Sequence, residues 1–187
     1  MDFQELLKNR RSIREFQEKE VPLSLIKEII QDSILAPTSS NLQPCRFVII
    51  RDREYMRKLS DESKRTLLTE LDRDPFSLIR NYEAALRNGD FNVFYDAPAL
   101  ILVIGPDDLY SIDIDAALTV SYLMFSATSR GLGTCWIGLG AHIRERHTLL
   151  EMGIPTGYQI IAPIIIGYPI SVPPASERHA PEIVKVI

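Results

Sequence analysis

A chain of 187 residues with 45% hydrophobic and 25% charged content has room for one good-sized core and no more, so a single domain over residues 1–187 is expected. A formal net charge of −4 and an isoelectric point near 5.4 lack the basic excess that nucleic-acid binding requires, and no apolar run has the length that spans a bilayer. The opening MDFQELLKNRRSIREF holds no apolar segment before a small-residue cleavage site, so a cytoplasmic protein is expected; the distant Cys45 and Cys135 and three unspaced histidines suggest reduced thiols and no metal site.

Residues 2–9 read as a short helix. The following NRRSIREF sets Arg10, Arg11 and Arg14 around Ser12, a basic cluster in an acidic chain. Guanidinium forks and a hydroxyl are groups that hold a phosphate monoester; a solvated charge cluster is the other reading of the same residues. Val21-Pro22 opens an amphipathic helix with Leu25, Ile26, Ile29, Ile30 and Ile34 on one face, ending at Ala36-Pro37. In APTSSNLQPCRFVII, the side chains of Thr38, Ser39, Ser40, Asn41 and Gln43 lie between two prolines, just before a strand over residues 45–50. These neutral groups form either an ordinary polar loop or a surface suited to the uncharged edge of a heteroaromatic ring.

Residues 52–74 and 76–88 are helical in pattern and carry no evident chemistry. Phe91, Phe94 and Tyr95 are candidates for lining a substrate pocket, with packing as the alternative. A fully apolar strand over 99–104 belongs inside a sheet. Residues 113–130 carry apolar side chains around most of a helical wheel and read as a core helix. Ser111 can cap it, Asp113 and Asp115 occupy its first turn, Arg130 its last, and Gly131 offers a left-handed stop. The next stretch, GLGTCWIGLG, holds four glycines in ten residues. It serves either the close approach of a ligand or a helix cap followed by a tightly packed strand. Trp136 at the third place after Gly133, and a helix ahead of the glycines, exclude the dinucleotide fingerprint. A helix over 143–152 and a buried strand over 159–168 follow. The aliphatic run 183–187 is expected to pair with a sheet edge, its own or a partner's, giving about five strands in an α/β or α+β arrangement.

Five local matches occur in order: RRSIREF at 10–16, APTSSNLQP at 36–44, DAPALILV at 96–103, GLGTCWIG at 131–138, and GYP at 167–169 followed by Arg178. With these the chain resembles the nitroreductase family of FMN-dependent enzymes over nearly its whole length. The resemblance implies an α+β fold with a mixed central sheet flanked by helices, and a homodimer with two FMN molecules at its interface. Its C-terminal arm would be exchanged to extend the partner's sheet. Position by position, the resemblance implies that Arg10, Ser12 and Arg14 grip the phosphate, ribityl chain and pyrimidine edge, with Arg11 in second place. Arg178 resembles a further phosphate arginine, with His179 or Lys185 as the nearest additional basic group. Pro37, Thr38, Ser39, Ser40, Asn41 and Gln43 would approach the flavin ring from the other subunit, and Trp136, Ile137, Gly138 and Leu139 would turn backbone amides toward its N5 and O4. The implied activity is electron transfer from NADH or NADPH through FMN to nitroaromatic, quinone or related acceptors by a ping-pong mechanism. The cofactor owns that chemistry, so no catalytic acid or base is expected from the chain. Reductive dehalogenation or flavin cleavage on the same fold, and non-catalytic FMN binding, are the alternatives.

Overall fold

In the computed structural model, which describes residues 2–74 and 76–187, the chain runs α1 (Phe3–Asn9), α2 (Leu23–Ser33), β1 (Arg46–Ile50), α3 (Arg53–Arg73), α4 (Glu83–Arg87), β2 (Ala99–Pro106), α5 (Ile112–Ser129), β3 (Gly133–Trp136), α6 (Arg146–Glu151) and β4 (Tyr158–Gly167). Short 3-10 turns lie at Ser39–Asn41, Leu78–Tyr82 and Gly138–Ala141. The strands form one sheet in the order β1-β2-β4-β3, each neighbouring pair antiparallel.

β2 holds a central place because its apolar side chains need cover on both faces, and Ala99 to Val103 are 0% exposed. The two-residue period of β2 and β4 divides their side chains between two cores. Leu100, Leu102, Ile104 and Ile165 pack with Met56, Leu59, Leu67 and Leu71 of α3. Ala99, Ile101, Val103, Ile164 and Ile166 pack with Ile26 and Ile29 of α2 and with Ala116, Val120, Leu123 and Ala127 of α5. Helices therefore cover both faces, the α+β arrangement expected.

Four strands stand where about five were counted, because Ile183, Val184, Val186 and Ile187 lie exposed and outside any strand in a single chain. Parallel pairing is confined, among the described residues, to the isolated bridge of Ser12 with Thr134 on the outer edge of β3. The helix expected over 76–88 divides into a 3-10 turn and α4, and the one over 143–152 shortens to α6.

α5 corrects the expectation of all-round burial. One face packs on the sheet, while Ile114 is 65%, Tyr122 42% and Leu118 38% exposed along the other. An apolar stripe of this kind on a long helix asks for cover from outside the chain. Gly131, at φ +75°, supplies the expected left-handed stop. Ser111 occupies the N-cap position, but its hydroxyl donates to Asp115 Oδ2 at 2.9 Å instead of capping the backbone.

Candidate functional site

Residues 10–14 run extended along the free edge of β3, where the Ile13 N–H donates to the Thr134 carbonyl at 2.9 Å. Their close approach depends on Gly133, because a Cβ there would lie 2.6 Å from Ile13 Cγ1. Extended backbone sends alternate side chains to opposite sides. Ser12 and Arg14 line a cavity of about 230 Å³ with Ile13, Glu15, Ser171 and Pro173. Arg11 lines a separate one of about 340 Å³ with Asn9, Thr128, Leu132 and Val172.

Ser12 hydrogen-bonds Cys135 of β3, and Arg14 and Arg10 lie within electrostatic reach of the same thiol. Burial pushes that thiol up, against the opposing pull of Arg14, a hydrogen bond with Ser12, and Arg10. Arg11 instead turns back, its Nη1 donating to the Arg10 carbonyl at 2.7 Å, with Nε buried and unpartnered. The Thr134 hydroxyl is likewise buried without a partner. Among the described residues no carboxylate lies within 4.0 Å of Arg10, Arg11 or Arg14; Arg51, Arg65, Arg87, Arg130 and Arg144 each have an acidic partner, and several other arginines, Arg46 and Arg178 among them, have none. In a chain of net charge −4, guanidinium groups left without acids fit an anionic ligand such as a phosphate monoester.

Arg14 also lies 5.7 Å from the centre of the Tyr95 ring. Tyr95 and Asp96 both adopt the left-handed region, with φ 54° and 49°. Asn92 braces this turn by accepting from the Phe94 N–H at 2.9 Å and donating to Asp96 Oδ1 at 2.8 Å. Of the three aromatic candidates, Phe94 is fully buried and packs, Phe91 meets Tyr95 edge to face, and Tyr95 reaches the arginine cluster.

The segment Trp136, Ile137, Gly138 and Leu139 continues β3 past this cluster. Trp136 and Gly138 are exposed. The Ile137 N–H is used by the Pro163 carbonyl at 2.8 Å, so that amide does not face a ligand. Ser63 donates to the Leu139 carbonyl and holds the turn to α3.

Pro37 to Gln43 lie elsewhere, leading into β1 at the opposite edge of the sheet. Ser40, Asn41 and Gln43 hold φ of 48°, 56° and 48°, three non-glycine residues in a region that costs each roughly 1 kcal/mol or more. Thr38 Oγ1 accepts from the Gln43 N–H at 3.1 Å, and Gln43 Nε2 donates to Asn41 Oδ1 at 3.0 Å. The Ser39 N–H donates to Asp115 Oδ1 at 2.8 Å, and its hydroxyl lies 3.2 Å from the Tyr110 hydroxyl. Asp115, read from sequence only as a first-turn acid, is 2% exposed and anchors this loop. A second acid beside Asp113, where one suffices for the helix dipole, was the available signal.

Between β1 and β3 lie β2 and β4, three interstrand spacings or about 14 Å. Within one chain the polar loop and the arginine cluster therefore belong to opposite edges of the sheet. Arg178, on the exposed tail, donates to the Glu177 carbonyl at 3.1 Å, and no contact among the described residues joins it to Arg10, Ser12 or Arg14.

The model of the nitroreductase family matches residues 7–168. A Methanothermobacter thermautotrophicus protein, provisionally named an NADH dehydrogenase/NAD(P)H nitroreductase, is 27% identical over 192 residues, covering 97% of this chain and 85% of that protein. Among solved structures, a Bacteroides fragilis nitroreductase with bound FMN superposes with a TM-score of 0.82 at 19% identity, covering 100% of this chain and 99% of that one. An iodotyrosine deiodinase bound to FMN and 3-iodo-L-tyrosine superposes with a TM-score of 0.77 at 21% identity, covering 98% and 99%.

Proposed function

The chain belongs to the nitroreductase family, and from that footing we propose that it is a cytoplasmic, homodimeric FMN-dependent oxidoreductase that takes electrons from NADH or NADPH and delivers them to nitroaromatic, quinone or related acceptors. The observation that carries this reading is the run of Arg10, Ser12 and Arg14 along the β3 edge, its arginines without a carboxylate within 4.0 Å among the described residues and both within electrostatic reach of Cys135. It is supported by the position of the neutral Thr38–Gln43 loop on the far edge, where a second copy could bring it to that cluster. The exposed stripe of Ile114, Leu118 and Tyr122 on α5 and the aliphatic tail are surfaces a second copy would cover.

Bound FMN supplies the two-electron chemistry, so the chain has only to bind, orient and tune it. Arg10 and Ser12 would hold the terminal phosphate through charge-assisted bonds. Arg14, flanked by Tyr95, would place a permanent cation where the reduced ring gathers negative charge. Trp136 and Gly138 would border the ring, and Ser40 and Asn41 of a second copy would offer it uncharged donors and acceptors. No side chain is assigned as catalytic acid or base.

Such a site leaves one exposed ring face, so electron donor and acceptor take turns on it. FMN is expected to bind in preference to FAD in a fluorescence-quenching titration, since the cluster suits a terminal phosphate and no second nucleotide fold holds an adenosine. Steady-state rates with NAD(P)H and a nitroarene should give parallel double-reciprocal lines. Tighter binding of FAD would overturn the phosphate assignment, and intersecting lines would overturn the shared face. Because a deiodinase shares the fold, an iodophenol belongs in the acceptor panel, and iodide release exceeding nitroarene turnover would favour dehalogenation instead.

A further inference from the structure

We propose that Asp115 is a positioning residue for this site, its buried carboxylate fixing the Ser39–Gln43 loop in the conformation that presents Ser40 and Asn41. The proposal rests on the functional reading above and adds to it the group that aims the loop. A buried carboxylate must be matched by donors, and Asp115 at 2% exposure has two. Its Oδ1 accepts from the Ser39 N–H at 2.8 Å and its Oδ2 from the Ser111 hydroxyl at 2.9 Å. The first turn of α5 adds the favourable end of the helix dipole. An acid serving only that dipole belongs in solvent, where Asp113 lies.

Asp115 instead reaches a residue 76 positions away, directly before Ser40 and Asn41 at φ 48° and 56°. Three strained non-glycine residues persist where surrounding structure over-determines them. The bonds from Gln43 to Thr38 and Asn41 close the loop on itself without attaching it to the body. Attachment comes, among the described residues, from Asp115 and from the exposed contact of Tyr110 with the Ser39 hydroxyl.

The test compares Asp115→Ala with Asp115→Asn in FMN-loaded protein. Asparagine keeps an oxygen for the Ser39 N–H and an amide that donates to the Ser111 hydroxyl, so it preserves the tether without the charge. Asp115→Ala is expected to lose about tenfold in kcat/KM for a nitro acceptor, chiefly in kcat, the scale of one lost charge-assisted bond, while FMN affinity stays within about threefold. Amide hydrogen exchange at Ser39–Gln43 should speed up in the Ala variant, and Asp115→Asn should recover most of both properties. Unchanged exchange and turnover in the Ala variant, or an Asn variant as impaired as Ala, would overturn the proposal. If Asp115→Ala fails to fold, Asp115→Leu removes both acceptor oxygens while filling the space and is read the same way: faster exchange supports the tether and unchanged exchange overturns it. Failure of the wild type to bind FMN would instead count against the functional reading, and the exchange data would still decide the role of Asp115.

Discussion

A methyl group on Gly133 would lie 2.6 Å from Ile13 Cγ1 and 2.7 Å from Ile13 Cβ, atoms too near the backbone to swing aside. Ile13 is itself buried, so the segment carrying Arg10, Ser12 and Arg14 would have to lift from β3 to make room. Gly133→Ala is therefore expected to lower stability by about 1–3 kcal/mol, the usual range for overpacking, and to weaken FMN binding with it. Thermal melts and flavin-quenching titrations of the same preparation check both, and an unchanged midpoint with unchanged affinity would mean that the segment yields freely. Arg10→Ala leaves the fold alone and removes a guanidinium that no carboxylate shares, so FMN affinity should fall by about 1.5–3 kcal/mol. Arg11→Ala should cost less than Arg10→Ala, since Arg11 turns back on the Arg10 carbonyl and lines a different cavity from Ser12 and Arg14. Equal losses in the two titrations would show that both arginines hold the ligand.

At the scale of elements, α5 and the C-terminal tail leave the most apolar surface without cover. Tail residues beyond Tyr168 touch their own chain near its start, where the Ile170 N–H donates to the Glu15 carbonyl at 3.1 Å, and then run exposed to Ile187. Deleting residues 170–187 is expected to cost both dimer and bound flavin, as read by sedimentation and absorbance. A truncated protein that stays dimeric and yellow would free the tail of any such role. The contrast among elements also shows what local pattern can carry. β2, β4, α2 and α3 were legible because the spacing of their own apolar residues decides where they pack. The GLGTCWIGLG stretch could be a ligand loop or a cap and strand; the cap and strand are there, with Gly131 stopping α5, β3 ending at Trp136 and the turn at Gly138–Ala141 following, while its meeting a ligand is part of the proposed function. The fifth strand and the all-round burial of α5 were misjudged for one physical reason: hydrophobic pattern reports that a surface will be covered, not whether the cover lies in the same chain. The Asp115–Ser39 bond was invisible because a pairing across 76 residues leaves no local spacing.

For the whole molecule, the arginine cluster and the polar loop stand at opposite edges of a four-stranded sheet, and in the proposed function each site is built by two chains. Subunit complementation tests this most directly. One variant, Arg10→Ala/Arg14→Ala, damages the β3 edge, and the other, Ser40→Ala/Asn41→Ala, damages the loop. Each homodimer then lacks an intact site. A mixed dimer would pair the intact edge of one chain with the intact loop of the other, giving one undamaged site and one doubly damaged site. Random re-association of the two variants is predicted to restore about a quarter of the wild-type number of working sites, seen as nitroarene turnover with NAD(P)H at limiting FMN. Turnover no greater than the sum of the two parent variants would mean that each chain builds its site alone.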